Sequence, residues 1–175
     1  MRLLLAVLCV AACSPLSSTE SASREGVVRV RAPRPPWHCA PNDADKDTYQ
    51  HRGVKCVLDE GLVLSAKVYD VDTANVRTAE VFCVQDWKAE YASIIRTAAV
   101  YDARVVPFRG VPACEVTLEG TSTKGPWRLW EIHAPNGRKL LQITVSGSLP
   151  VWTREQRVID AWRADLRYDL AVPGQ

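Results

Sequence analysis

Trp127-Arg128-Leu129-Trp130-Glu131-Ile132-His133 and Arg138-Lys139-Leu140-Leu141-Gln142-Ile143-Thr144-Val145-Ser146 flank the tetrapeptide Ala134-Pro135-Asn136-Gly137. Asn-Gly between two apolar-rich runs is the strongest short-range hairpin signal, because both residues tolerate positive φ. In the first run Trp127 and Leu129 point one way at period two, Trp130 and Ile132 the other. In the second, Leu141, Ile143 and Val145 share a face, with Leu140, Gln142 and Thr144 opposite. Apolar groups on both faces predict strands partly covered on both sides.

Working outward, Gly53 to Leu58 and Leu62 to Val71 read as strands, the second with Leu62, Leu64, Ala66 and Val68 on one face. Ala79 to Val84 is a further apolar run with β-branched and aromatic residues. Asp86 is placed to cap a helix whose Trp87, Tyr91, Ile94, Ile95 and Ala98 recur at 3.6-residue spacing. Arg104 to Phe108 and Ala113 to Leu118 are short strands about a Gly-Val-Pro turn. A last helix follows the hairpin, with Thr153 and Gln156 spaced as a capping box. Its stripe is Val158, Ile159, Trp162 and Leu166. Strands, helix, strands with a hairpin, then helix predicts an α+β fold: an antiparallel β-sheet with two main helices packed on it.

Length and composition agree with a single domain. The chain has 175 residues, 47% hydrophobic and 24% charged. Lys plus Arg is 22 against 20 for Asp plus Glu. So small an excess argues against a nucleic-acid partner, which calls for a strong basic field.

Residues 1–12 carry the marks of a secretory signal: Arg2, the apolar run Leu3 to Val10, then Ala11-Ala12. The run falls far short of the roughly 20 residues of a membrane-spanning helix. Val10-Ala11-Ala12-Cys13 resembles the lipobox of bacterial lipoproteins. The resemblance implies cleavage before Cys13 and palmitate-type lipid attached there, anchoring the chain to the membrane. Ser14 rather than Asp follows, which implies outer-membrane sorting in a Gram-negative cell, with the domain facing the periplasm or cell surface. Residues 13–48 read as the lipidated N-terminus and a flexible tether, rich in Ser, then in Arg and Pro. The folded domain is expected over 49–170, with 171–175 as a tail.

The helix from Asp86, the segment Gly110-Val111-Pro112-Ala113-Cys114-Glu115-Val116 and the hairpin before a C-terminal amphipathic helix together resemble the PsbP-like α/β/α sandwich superfamily. The resemblance covers about residues 49 to 169 by element order. It implies a non-enzymatic partner of a larger assembly, although fold alone does not fix function.

Cys39, Cys56, Cys83 and Cys114 remain once Cys9 and Cys13 are set aside. An even number in an exported chain reads as two disulfides, with three possible pairings. Cys39–Cys56 and Cys83–Cys114, the latter joining two strands, are the favoured pair. Buried free thiols at Cys83 and Cys114 are the alternative. His38, Cys39, His51 and Cys56 are residue types that suit zinc, but their spacing matches no ligand pattern. Asp43-Ala44-Asp45-Lys46-Asp47 begins like a calcium loop, but Thr48 stands where Gly is required and Val54 where a bidentate Glu is required. A solvated acidic turn is the expectation.

No Ser lies in a nucleophile elbow; Ser146-Gly147-Ser148 leads into Leu149-Pro150. His133, at the hairpin end, reads as a surface histidine. A Cys114–His133 pair across neighbouring strands is the one thiol arrangement available, and it requires a reduced cysteine. Trp87 and Trp162 sit in helix stripes. Trp127 or Trp130 beside Arg128 or Arg138 is a candidate partner contact, with packing the default. The expectation is a lipid-anchored, non-catalytic binding or accessory module for another envelope protein, with no cofactor and no metal. The alternatives are an envelope hydrolase or thiol enzyme using Cys114 and His133, and a carrier of a small ligand.

Overall fold

The hairpin sits at the centre of one antiparallel sheet in the computed structural model, which describes residues 20–46, 49–71, 78–95 and 97–170. The signal segment, the lipobox with Cys13, Asp47 and the 171–175 tail lie outside the described residues. In chain order the strands are β1 (Glu20–Ala22), β2 (Val28–Arg31), β3 (His38–Pro41), β4 (Ala44–Lys46), β5 (Tyr49–Leu58), β6 (Leu62–Asp70), β7 (Ala98–Phe108), β8 (Val111–Ser122), β9 (Gly125–Asn136), β10 (Lys139–Ser148) and β11 (Arg167–Tyr168). The large sheet runs β3-β5-β6-β10-β9-β8-β7, with β4 also on β5; a second, small sheet is β1-β2-β11.

The β9–β10 strands reach further into the turn than the Asn-Gly signal predicts. Asn136 opposes Lys139, which leaves Gly137 and Arg138 as the loop. Gly137 takes φ +56°. A tight hairpin whose first loop residue needs positive φ favours glycine there. As the alternation predicts, Trp130, Ile132, Leu141, Ile143 and Val145 turn to one core, while Trp127 and Leu129 turn to another on the opposite face.

The first core lies beneath the helix α4 (Leu149–Asp165, numbered after three short helices described next) and the small sheet. Trp152, Ile159 and Trp162 from that helix meet Val28 and Val30 over Leu64, Ile132 and Ile143. Val28 and Val30 are fully buried while Arg29 and Arg31 are exposed. The tether reading of 13–48 therefore fails for residues 20–46. Alternating Val and Arg is the period-two pattern of a half-buried strand, and β1 and β11 pair with it on either side. The layer over the first core thus includes an N-terminal strand pair that composition alone presented as a spacer.

The second core lies under a broken helical run: α1 (Ala79–Val81), a π-helical turn (Phe82–Asp86), α2 (Trp87–Glu90) and α3 (Ala92–Ile95). The apolar run Ala79 to Val84, strand-like in composition, is helical. Thr78, not Asp86, is the cap, its Oγ1 accepting from the Val81 N–H. Ala79, Cys83, Trp87 and Tyr91 are the buried set. A strict spacing of four drifts off one face of a 3.6-residue helix, and the wider π turn absorbs that drift. Ala98 begins β7 instead of closing the stripe. Among the described residues only α4 is a long continuous helix, so the expectation of two main helices holds in part.

The last helix also starts earlier than its sequence signal. Ser148 precedes it and Pro150 stands in its first turn, where a fixed φ favours helix initiation. Thr153 is consequently inside the helix, and its hydroxyl donates to the Leu149 carbonyl at 3.0 Å. Gln156 accepts from the Trp152 indole at 3.0 Å rather than forming a capping box.

Both favoured disulfides are present. Cys39 and Cys56 face each other across β3 and β5. Cys83–Cys114 joins the π turn to β8, a helix-to-sheet bridge and not the strand-to-strand bridge expected. It fastens the helical layer to the sheet. No described helix is long and apolar enough to cross a membrane.

Candidate functional site

The face of the sheet under the helical run is not wholly apolar. Alternation along β9 and β10 places Glu131, His133, Gln142 and Thr144 on that face, beside Cys114 and Val116 of β8. Tyr91 reaches down from the end of α2. Glu131 and His133 are each 3% exposed.

Glu131 is held by four donors. The Tyr91 hydroxyl and Gln142 Nε2 (2.5 Å) donate to Oε1, Thr144 Oγ1 donates to Oε2 at 2.8 Å, and His133 Nε2 lies 2.5 Å from Oε1. Tyr69 extends the chain, its hydroxyl donating to Gln142 Oε1 at 2.8 Å. Phe82 stacks on the His133 ring at 4.1 Å. Burial alone would raise the Glu131 carboxyl. The donors, led by His133, outweigh that and hold it below the ordinary carboxylate range. Tyr91 is pushed far above the usual phenol range by burial, then by the Glu131 charge. Glu90 lies exposed at the rim, and partial desolvation of its carboxyl raises it.

Glu90, Glu131 and His133 each bring a ligand atom within 4.8 Å of the others, and carboxylate with imidazole suits a divalent cation. Two features oppose that use. Glu131 already accepts from Tyr91, Gln142, Thr144 and His133. His133 Nδ1 is buried without a partner among the described residues, whereas a metal-bound imidazole is normally oriented by an acceptor on its other nitrogen. Tyr91 is kept protonated and Glu131 is kept ionised with its oxygens occupied, so neither is poised as a general base. The arrangement clamps the helical run to the sheet through one buried carboxylate.

The structure places the other sequence candidates as follows. Cys114 and His133 are direct cross-strand neighbours on β8 and β9, as the pairing idea requires. Cys114 is bonded to Cys83, so that pair has no thiol. His133 is buried, not a surface histidine; the strands continue past it, so it lies well inside the hairpin. His38, Cys39, His51 and Cys56 do not converge. The two cysteines are bonded to each other, and strand alternation turns His51 to the face of β5 opposite Cys56. In the acidic turn Asp43 accepts from the Arg24 and Gly53 N–H groups. Asp45 pairs with Arg24 and Arg52, each at 2.5 Å, and Arg52 leads the causes that hold its carboxyl low. Ala44–Lys46 is thus the strand β4 on β5 and not the solvated turn expected, and its contacts with Arg24 fasten β1–β2 to the large sheet. Trp130 is covered by the Arg163 guanidinium at 3.8 Å and donates to Glu115 at 2.7 Å, so it packs inside the fold.

Glu131 is the residue that sequence reasoning passed over. Its signal was present: a Glu and a His two apart on a strand expected to be partly covered on both faces, opposite Gln142 and Thr144. A charged side chain at such a position demands a donor set.

No protein-family model matches the chain, and no curated protein matches it in sequence. Among solved structures it is similar to the solution structure of cyanobacterial PsbP (CyanoP) from Synechocystis, with a TM-score of 0.54 and 12% identity over 91% of this chain and 99% of that one. That likeness supports a PsbP-like domain and shows the fold alone. A Pseudomonas aeruginosa protein of unknown function aligns with a TM-score of 0.41 and 9% identity over 77% of this chain and 98% of that one, too low to carry an argument.

Proposed function

We propose that the chain is an exported lipoprotein, anchored through lipid on Cys13 to the outer membrane and facing the periplasm or cell surface. There its PsbP-like domain serves as a non-catalytic binding or accessory module for another envelope protein. The observation that carries this reading is the pair of disulfides. Cys39–Cys56 and Cys83–Cys114 use all four cysteines of the described domain, and such pairing suits an oxidising, exported compartment. It also removes the thiol on which the enzyme alternative depended. The committed Glu131 carboxylate supports the same reading, since it leaves the buried polar cluster a structural task.

A carrier role draws on one feature of its own, a groove of about 970 Å³ between residues 31–37 and α4, with Trp162 among its lining residues. A ligand bound there would raise the melting temperature, because binding to the native state alone stabilises it.

The anchor is tested by expressing the full chain in a Gram-negative host fed an alkyne analogue of palmitate. The native chain should take up label and pellet with membranes, and Cys13→Ala should do neither. A native chain that stays unlabelled and soluble would overturn the anchored reading.

A further inference from the structure

β7 ends the large sheet, and among the described residues no strand pairs with its outer edge. Its middle is apolar and open: Val100 is 53% exposed, Tyr101 55% and Val105 44%. Natural edge strands are blunted by proline, bulges and charge. Here the proline, Pro107, and the bulge between Ala98 and Val100 stand at the two ends. Val100 to Val106 between them is left as a free edge. Its two charges, Asp102 and Arg104, are of opposite sign and lie two residues apart on one face.

We propose that this edge pairs antiparallel with the same edge of a second copy, about a two-fold axis at Ala103. A two-fold axis perpendicular to the sheet keeps each face on its own side, so residues of unlike face cannot oppose each other. That leaves registers centred on single residues. Centring on Asp102 sets Asp against Asp, and centring on Arg104 sets Arg against Arg. Centring on Tyr101 or Val105 sets both charges against apolar residues. Centring on Ala103 sets Asp102 against the second copy's Arg104 and the reverse, Tyr101 against Val105, and Val100 against Val106. Opposite charges and aromatic–β-branched pairs are the favourable cross-strand neighbours.

The ladder then extends inward. Arg104 already binds Glu115, its neighbour on β8, at 2.8 Å. A guanidinium has donors to spare for a second carboxylate on its outer side. Glu115, Arg104 and the second copy's Asp102 would form one row across three strands. This inference does not rest on the Cys13 anchor, since a monomer could serve as the proposed module equally well.

The test uses the full-length chain in mild detergent, by sedimentation velocity over a wide concentration range. The native chain should show a concentration-dependent dimer. Asp102→Arg and Arg104→Asp should each weaken self-association by about tenfold or more, because each sets like charges together. An equimolar mixture of the two variants should associate again, which also shows that both are folded. Ala103→Cys should give a disulfide-linked dimer under mild oxidation, since directly opposed strand residues lie within bridging distance. A native chain that stays monomeric throughout would overturn the proposal. So would a dimer indifferent to both charge reversals, or one that Ala103→Cys fails to link.

Discussion

Cys114 and His133 face each other directly across β8 and β9, yet the Cys114 sulfur is bonded to Cys83 and the His133 Nε2 lies against Glu131. Two residues in the right place for thiol chemistry are thus each committed to holding the helical run on the sheet. Replacing both Cys83 and Cys114 by Ala should lower stability by about 3–4 kcal/mol, from the loop the bond closes. Denaturant melts of native and double-variant protein measure this. Peptide mapping of alkylated, unreduced protein should find no label at any of the four domain cysteines.

Tyr91→Phe removes one donor from a buried carboxylate and should cost about 1–3 kcal/mol. Its pH dependence is more telling. Glu131 sits below its ordinary range when folded, so its contribution is complete above the unfolded carboxylate pKa and is lost as pH falls through the lower folded value. Tyr91→Phe raises that folded value. Thermal melts should therefore show the variant losing stability at a higher pH than the native chain on acidification.

Glu131→Gln keeps the shape but places an amide N–H₂ among groups that all donate. It should cost more than Tyr91→Phe, about 2–4 kcal/mol, and the penalty should persist at neutral pH. A melt at pH 7 within experimental error of the native chain would sink the donor-clamp description.

Glu90 carries the opposite sign. Burial raises its carboxyl, so folding favours its protonated form and the penalty appears as pH rises. Glu90→Gln should therefore stabilise at pH 8 and do nothing at pH 4. Because the residue is exposed, the gain should be only a few tenths of a kcal/mol, about 1 °C in melting temperature. Paired calorimetric scans at the two pH values check it.

Val28→Asp separates a tether from a core strand. Burying an unpaired charge should cost about 3 kcal/mol or more. The same change at Val84, which is exposed, should fall within about 0.5 kcal/mol of the native chain.

The hairpin, its two-faced character and the presence of two disulfides were legible because each rests on simple signals: Asn-Gly, period two, and an even cysteine count. The N-terminal strand pair was not. Its Val-Arg alternation spans only four residues amid Pro and Ser, and its pairing with β11 comes from the far end of the chain. The helical run was misread because its face has a spacing of four, which fits a 3.6-residue helix only when a π turn is inserted. Its first residues also carry the β-branched and aromatic composition of a strand. The Glu131 clamp was hidden for a related reason. Its donors arrive from β9, β10 and Tyr91, and only the register brings them together.

In-cell crosslinking followed by purification, with Cys13→Ala run alongside, bears hardest on the proposed role. An anchored accessory module should yield a specific envelope protein with the native chain and lose it when Cys13 is replaced. Purified protein that turns over a substrate, with activity abolished by a single side-chain change and no partner in either crosslinked sample, would mean that the domain is an enzyme after all.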